Sequence, residues 1–195
     1  MKLYLTAGHN VIAGKGTGAF GVSCPPYPRG FDEAREAIVL RDLIAEHLRL
    51  YDVPVVTDDN AAPLTKVLQW LRSVAGANDW CIEIHFNAAA ATASGTECVV
   101  ANQHTMKERD MARGICKAIN NAASIRVRER APGRSGVVLE TETARGQIGF
   151  LRSPAVAHNV LVEVCFCTNT KDVENYFANR KAIARRIAEN IIVNL

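Results

Sequence analysis

The segment NVLVEVCFCTN, from Asn159 to Asn169, guides the interpretation of the whole chain. Val160, Val162 and Val164 alternate within a run that is otherwise almost entirely apolar, which is typical of a strand buried on both faces. Glu163 is the one carboxylate in this run. Burying a carboxylate costs free energy unless it is paired, hydrogen-bonded or close to a metal. Glu163 is therefore a satisfied core carboxylate, an edge-strand residue that faces water, or a functional group.

Length and composition indicate one soluble globular domain. The chain has 195 residues, of which 48% are hydrophobic and 22% are charged, so it can bury a substantial core. A net charge of +3 gives no indication of nucleic-acid binding. No apolar run approaches the roughly 20 residues that span a membrane. We therefore expect one domain over residues 1–195, with no nucleic-acid partner and no membrane insertion.

The cysteines and the first residues of the chain indicate the cellular compartment in which the protein is made. Six cysteines stand at positions 24, 81, 98, 116, 165 and 167, without a CxxC pair or the spacing of a disulfide scaffold. We expect buried free thiols in a reducing environment. Met1 leads directly into strand-like sequence, so we also expect synthesis in the cytoplasm without a signal peptide.

Hydrophobic periodicity predicts alternating strands and helices. The predicted strands are Lys2–Ala7, Val53–Thr57, Asp79–Asn87, Thr96–Ala101, Gln147–Leu151 and residues 160–166. The predicted helices are Glu33–Leu50, Ala62–Ala75, His104–Asn121 and Thr170–Asn194. A Gly/Pro-rich connection occupies residues 10–31, and a loop of that length is usually functional or disordered. The order predicts an α/β fold with a mostly parallel sheet of about six strands, flanked by helices on both faces.

Polar residues collect at one edge of this predicted sheet. Open α/β sheets bind ligands beyond the carboxyl ends of their strands. His9 follows the first strand, His85 ends the third, Glu163 lies towards the end of a later strand, and Glu33 opens a helix on the same side. Two histidines and a carboxylate are a common ligand set for catalytic zinc, and a further carboxylate can transfer the proton of the attacking water. By spacing alone, the alternative is that the histidines are packing or surface residues.

Five ordered motifs carry a resemblance to a known family. They are LTAGHN at residues 5–10, FDEAREAIVLRDLIAEHL at 31–48, CIEIHFNA at 81–88, GTE at 95–97 and VLVEVCFCTN at 160–169. Together they resemble the zinc-dependent N-acetylmuramoyl-L-alanine amidases, the catalytic domains of cell-wall amidases and phage endolysins. The resemblance spans residues 2–195 and implies a single twisted, mixed sheet. By position, it implies His9, Glu33 and His85 as ligands of one Zn²⁺ per chain and Glu163 as the catalytic acid and base.

The resemblance also implies a substrate and a place of action. The expected reaction is hydrolysis of the amide between N-acetylmuramic acid and the L-alanine of the stem peptide in peptidoglycan. We expect a monomer with a single catalytic domain over residues 1–195 and no separate wall-binding domain. Such an enzyme would reach the cell wall through a membrane lesion, as a phage-type endolysin does. The alternatives are a zinc carboxypeptidase or other amidohydrolase with the same site, and a non-catalytic peptidoglycan-binding module.

Two further glutamates leave alternatives open. Glu36 lies one helical turn from Glu33 and is an alternative metal ligand. We favour Glu33 because it opens the helix and its distance to the strand at Val53 fits the family better. Glu83 lies two residues before His85, so both side chains share one face of the strand. Glu83 is either a partner that orients a metal ligand or a structural carboxylate.

Other candidate residues are assigned more ordinary roles. Cys165 and Cys167 are thiolate ligands in principle, but we expect core thiols because histidine and glutamate already complete a ligand set. The remaining histidines are expected at the surface: His47, His104 and His158. Four arginines form a basic cluster: Arg126, Arg128, Arg130 and Arg134. This basic cluster is either a solvated loop or a contact for stem-peptide carboxylates. The family often has a GHGG-like turn where residues 8–11 read GHNV.

Overall fold

The computed structural model describes residues 1–9, 23–24, 31–152 and 157–195. Most of the Gly/Pro-rich connection predicted at residues 10–31 lies outside this part of the chain. The strands are β1 (Leu3–Ala7), β2 (Ser23–Cys24), β3 (Phe31–Asp32), β4 (Val55–Thr57), β5 (Trp80–Asn87), β6 (Glu97–Val100), β7 (Val137–Leu139) and β8 (His158–Phe166). The helices are α1 (Glu33–Arg49), α2 (Leu64–Val74), α3 (Met106–Ala123) and α4 (Thr170–Asn194).

Six strands form one mixed sheet in the order β4-β1-β5-β8-β6-β7. All neighbouring pairs are parallel except β6 and β8, which run antiparallel. The short strands β2 and β3 pair with each other outside this sheet. The α/β fold with a mostly parallel, mixed sheet of six strands is therefore confirmed.

Helices cover both faces of the sheet, as predicted. α1, α3 and α4 pack on one face and form the larger core with Ile82 and Ile84 of β5. α2 covers the opposite face and shares a smaller core with Cys81 and Leu161. No helix among the described residues is long and apolar enough to cross a membrane.

Side chains alternate between the two faces of the sheet along β5 and β8, and this alternation decides which of them point towards the smaller core. Val160, Val162 and Val164 all belong to the larger core. Glu163 lies between two of these valines, so its side chain projects towards the opposite face. The buried alternating strand predicted from the sequence is thus confirmed, and its carboxylate lies on the same side as α2.

Side-chain caps fix where the helices begin. Asp32 accepts a hydrogen bond from the Arg35 amide at 3.1 Å, so α1 starts at Glu33, as its sequence predicts. Asn169 caps α4 in the same way through the Asp172 amide. The Asp32 cap holds Glu33 in the first turn of α1, at the carboxyl edge of the sheet.

The strand predicted at Gln147–Leu151 is wrong. Phe150–Arg152 forms a short 3-10 turn instead, and Phe150 and Leu151 pack in the smaller core. The Ile148 amide donates to Glu140 Oε2 at 3.0 Å, and therefore not to a neighbouring strand. The sixth strand is β7, at Val137–Leu139, in the region that the pattern left unassigned.

The cysteines behave as expected wherever they are described. Five free, buried thiols are present: Cys81, Cys98, Cys116, Cys165 and Cys167. The side chain of Cys24 lies outside the described residues. Cys165 and Cys167 belong to the larger core and do not join a candidate metal cluster in the described chain.

Candidate metal centre

Three elements bring His9, Glu33 and His85 together at the carboxyl edge of the sheet. His9 follows β1, Glu33 is the first residue of α1, and His85 lies near the end of β5. Glu33 Oε1 lies 3.2 Å from His9 Nε2 and 3.2 Å from His85 Nδ1. One ligand atom from each residue lies within 4.8 Å of the others, and no other such group of three occurs in the described ranges. The structure therefore brings together the three residues that the sequence predicts as zinc ligands.

Gly8 makes this close approach sterically feasible. A Cβ at this position would lie 2.0 Å from His85 Cε1 and 2.0 Å from His85 Nε2. The Gly8 amide also donates to the Ile84 carbonyl at 2.9 Å, which holds the end of β1 against β5. The imidazoles of His9 and His85 consequently meet edge to face, with 4.9 Å between their ring centroids. A larger residue at position 8 would collide with the imidazole.

Glu33 is held as an ionised carboxylate. Burial alone would raise its pKa, but hydrogen bonds with His85 and His9 outweigh that effect and hold the pKa of Glu33 well below its usual range. Its Oε1 also accepts the Phe86 amide at 3.1 Å. The N-terminus of α1 favours a negative charge at this position. A buried anionic oxygen with two imidazoles beside it fits the donor set of zinc sites that combine two histidines with one carboxylate.

His85 stands between two carboxylates. Its Nδ1 faces Glu33, and its Nε2 lies 3.1 Å from Glu83 Oε2. Burial would lower the pKa of His85, but Glu33 and Glu83 more than offset this and raise it well above the ordinary histidine value. In the absence of a metal ion, these two carboxylates therefore favour the protonated, positively charged form of the His85 imidazole.

Glu163 lies beside the three-residue cluster. It is the direct neighbour of His85 in the β5–β8 register, and of Glu97 in the β6–β8 register. Burial raises the pKa of Glu163 to about 7, with His85 acting against this rise and Glu33 and Glu97 adding to it. Its Oε2 is buried and accepts no hydrogen bond within the described part of the chain. This arrangement disagrees with the interpretation of Glu163 as a satisfied core carboxylate.

Glu36, the alternative ligand, points elsewhere. Its Oε2 accepts hydrogen bonds from Tyr176 Oη at 3.0 Å and from Arg180 Nη1 at 3.2 Å, both on α4. Glu36 therefore joins α1 to α4 and is not a member of the candidate metal cluster. Glu83 does share a face of β5 with His85 and contacts its ring, as its spacing predicts.

The basic cluster is engaged largely within the protein. Arg130 Nη2 lies 2.6 Å from Glu97 Oε1, and Arg128 Nε lies 2.9 Å from Glu97 Oε2. Asn87 Nδ2 donates to the same carboxylate at 3.0 Å. Arg134 pairs with Glu142. The simple interpretation as a solvated loop is therefore incomplete, because two of these arginines neutralise a buried carboxylate next to Glu163.

Glu97 and Asp172 are site-supporting residues that the sequence interpretation did not assign. Asp172 accepts hydrogen bonds from Ser94 Oγ at 2.8 Å, the Gly95 amide at 2.8 Å and the Phe166 amide at 3.1 Å. It thereby ties the connection before β6 to the end of β8. The available signal was the charged residue itself, Glu97 within an apolar strand and Asp172 in a capping segment. Most of their partners are distant in sequence, so the sequence pattern did not reveal the contacts.

The other histidines lie away from the candidate metal cluster. His47, His104 and His158 are all partly buried. His158 opens β8, two residues before the predicted start of that strand, and its ring packs on Trp80 with 4.7 Å between centroids. His104 precedes α3 and contacts the Ala101 carbonyl. Their roles are packing and partial surface exposure.

Comparison with known proteins identifies a family for this chain. The model of the N-acetylmuramoyl-L-alanine amidase family matches residues 3–193. No curated protein sequence matches the chain. Among solved structures, the catalytic domain of the CD27L endolysin, which targets Clostridium difficile, is 22% identical, with a TM-score of 0.71 and coverage of 99% of this chain and 97% of that one.

Two further solved structures share the fold. A Neisseria meningitidis protein with the proposed identity of an N-acetylmuramoyl-L-alanine amidase is 24% identical, with a TM-score of 0.70 and coverage of 98% of this chain and 94% of that one. Cwp6 from Clostridium difficile is 18% identical, with a TM-score of 0.78, and the match covers 100% of this chain but 29% of Cwp6. Because the family match spans nearly the whole chain, this protein belongs to the N-acetylmuramoyl-L-alanine amidase family of peptidoglycan hydrolases.

Proposed function

We propose that this protein is a zinc-dependent amidase that hydrolyses the bond between N-acetylmuramic acid and the L-alanine of the stem peptide. The observation that carries the proposal is the convergence of His9, Glu33 and His85 within 4.8 Å, with Glu163 adjacent to His85. Zinc held by the three ligands would polarise the scissile carbonyl and make water a better nucleophile.

Glu163 carries the proton transfers. A carboxylate with a pKa of about 7 can both accept and donate a proton near neutral pH. Glu163 first accepts a proton from the attacking water, whose oxygen bonds to the carbonyl carbon. It then gives that proton to the nitrogen of the L-alanine as the carbon–nitrogen bond breaks. The products are a muramic acid carboxylate and a stem peptide with a free amino terminus.

Neighbouring groups balance the negative charges of Glu33 and Glu97, the two other carboxylates close to this reaction. Glu33 is surrounded by His9, His85 and the Phe86 amide. Glu97 is paired with Arg128 and Arg130. Glu163 differs from Glu33 and Glu97 in having a buried oxygen that accepts no hydrogen bond in the described ranges, which suits a proton carrier.

Mass analysis of the products from a defined muropeptide tests the proposal. Zinc-loaded protein should release an intact stem peptide that begins with L-alanine, and removal of zinc by a chelator should abolish the release until zinc is restored. A zinc carboxypeptidase would instead release a residue from the carboxyl end of the stem peptide. A binding module would sediment with peptidoglycan and release nothing.

A role as a phage-type endolysin is the finer part of this proposal. The fold shared with the CD27L catalytic domain supports it. We further propose that the protein acts as a monomer and that its continuous sheet makes one catalytic domain. An endolysin should rapidly clear suspensions of cells whose membranes have been permeabilised, whereas a remodelling enzyme should release stem peptides without rapid clearing. Light scattering during size-exclusion chromatography measures the oligomeric state.

A further inference from the structure

Glu83 is a buried carboxylate that the proposed reaction does not use. Glu83 is 2% exposed, and its Oε2 lies 3.1 Å from His85 Nε2. Its Oε1 is buried and has no hydrogen-bond partner in the described part of the chain. Burying a carboxylate with so few partners costs free energy. Packing alone therefore gives no reason for a glutamate at this position.

The surroundings of Glu83 strengthen its interaction with His85. Glu83 lines a small recess with Gly8, His9 and the α2 residues Leu64 and Val67. Glu83 is itself buried, and a low local dielectric strengthens a hydrogen bond made in such a position. The nearest polar group that Glu83 contacts is the His85 imidazole.

The orientation of the His85 ring follows from three contacts. Nδ1 faces Glu33, whose Oε1 also lies 3.2 Å from His9 Nε2. Nε2 faces Glu83, and the backbone at Gly8 lies so close to the ring that even a Cβ there would overlap it. A metal between His9 and Glu33 would therefore meet His85 through Nδ1, while Nε2 keeps its hydrogen for Glu83.

We propose that Glu83 is a positioning residue for the metal centre. It accepts the Nε2–H of His85, which fixes the tautomer with an unprotonated Nδ1 directed at the ion. A carboxylate in this position also increases the basicity of the ligating imidazole, and loss of such partners typically weakens metal binding about ten- to a hundredfold. This inference rests on the proposed function, because it takes zinc as the ion at the site.

Zinc affinity measured by competition with a chromophoric chelator tests the inference. Glu83→Gln preserves shape and removes the charge, so its zinc affinity should fall about ten- to a hundredfold. Glu108→Gln is the matched control, since Glu108 is also buried but caps α3 and binds the Asn159 amide. Its zinc affinity should equal that of the wild type. Equal affinity of Glu83→Gln and wild type would overturn the role of Glu83 alone, whereas a wild type that binds no zinc would overturn the proposed function as well.

A second measurement does not depend on any variant. In zinc-loaded wild-type protein, ¹⁵N NMR of the histidine rings should show His85 with a metal-bound Nδ1 and a protonated Nε2. The Nε2 proton should exchange slowly with water because Glu83 accepts it in a buried recess. A protonated Nδ1 with a metal-bound Nε2 would overturn the inference, even if the Glu83 variant failed to fold.

Discussion

Glu163 lies directly opposite His85 in the β5–β8 pair, with one buried carboxylate oxygen that accepts no hydrogen bond among the described residues. The same strand pairing thus places a proposed metal ligand beside a proposed proton carrier. The carboxylate has a raised pKa because it is buried. These features together predict that Glu163 contributes to the reaction at a cost to stability.

Replacement of Glu163 by glutamine should abolish most of the activity but leave the metal in place. General acid–base catalysis typically contributes a factor of about 10² to 10⁴, so the rate of stem-peptide release should fall by that range. Zinc content, measured by atomic absorption, should remain at one ion per chain. Wild-type activity in Glu163→Gln would contradict its catalytic role, and loss of zinc would instead make Glu163 a ligand.

The same variant should stabilise the metal-free protein above pH 5. The pKa of Glu163 is about 7 in the folded protein and near 4.5 in the unfolded chain, so between these values the unfolded chain alone releases the proton. Wild-type stability therefore falls as pH rises through this window, by roughly 3 kcal/mol in total. Glu163→Gln should not show this fall in stability, because glutamine does not ionise. Urea unfolding at pH 4.5 and pH 8 measures the difference.

The control for this comparison is Glu46→Gln on the exposed side of α1. It should show no gain in stability at pH 8 relative to pH 4.5. If Glu163→Gln gained no more than Glu46→Gln, the Glu163 carboxylate would not have the raised pKa described above.

Two neighbouring glutamates on α1 should differ in their effect on zinc. Glu33→Gln removes the anionic oxygen that both imidazoles contact, so the zinc content should fall sharply. Glu36→Gln affects the contacts with Tyr176 and Arg180 on α4 and should retain full zinc content. Metal analysis after dialysis against a weak chelator distinguishes the two. Loss of zinc in Glu36→Gln alone would reverse the ligand assignment.

A single methyl group at Gly8 should disturb the metal centre. The new Cβ would collide with the His85 ring, so Gly8→Ala should bind zinc at least about tenfold more weakly. Gly76→Ala is the matched control, because its Cβ would meet its nearest neighbour, Asp79 Oδ2, at an ordinary 3.7 Å. Isothermal titration with zinc compares the two variants, and equal affinities would show that His85 does not depend on this close approach.

Loss of the Glu97 charge should destabilise the carboxyl edge of the sheet. Glu97→Gln leaves Arg128 and Arg130 without their shared carboxylate, which should lower the free energy of unfolding by roughly 2 kcal/mol, since both arginines are partly exposed. Arg134→Ala breaks a more exposed pair with Glu142 and should leave the unfolding midpoint nearly unchanged. Equal midpoints for the two variants would contradict this distinction.

Local sequence pattern predicted the elements that contribute the candidate site. Strand alternation located β1, β5 and β8, and the rule that parallel strands share a carboxyl edge brought His9, His85 and Glu163 to one place. Asp32 marked the start of α1 and so the position of Glu33. These signals are local, and each lies within a few residues of the group that it places.

Other features depend on contacts between distant residues. β7 has three residues, too few for a periodic signal, and its position depends on pairing with β6. The ion pairs of Glu97 join residues about 30 positions apart, and those of Arg134 depend on the turn at Glu142. Their partners become evident only when the sheet is assembled.

The most direct measurement is anomalous X-ray diffraction at the zinc edge from crystals grown with zinc. It should reveal one ion within about 2.0–2.2 Å of His9 Nε2, a Glu33 carboxylate oxygen and His85 Nδ1, with Glu163 nearby but not coordinated. An ion bound by other residues, or the absence of bound zinc at this edge of the sheet, would contradict the proposed metal centre.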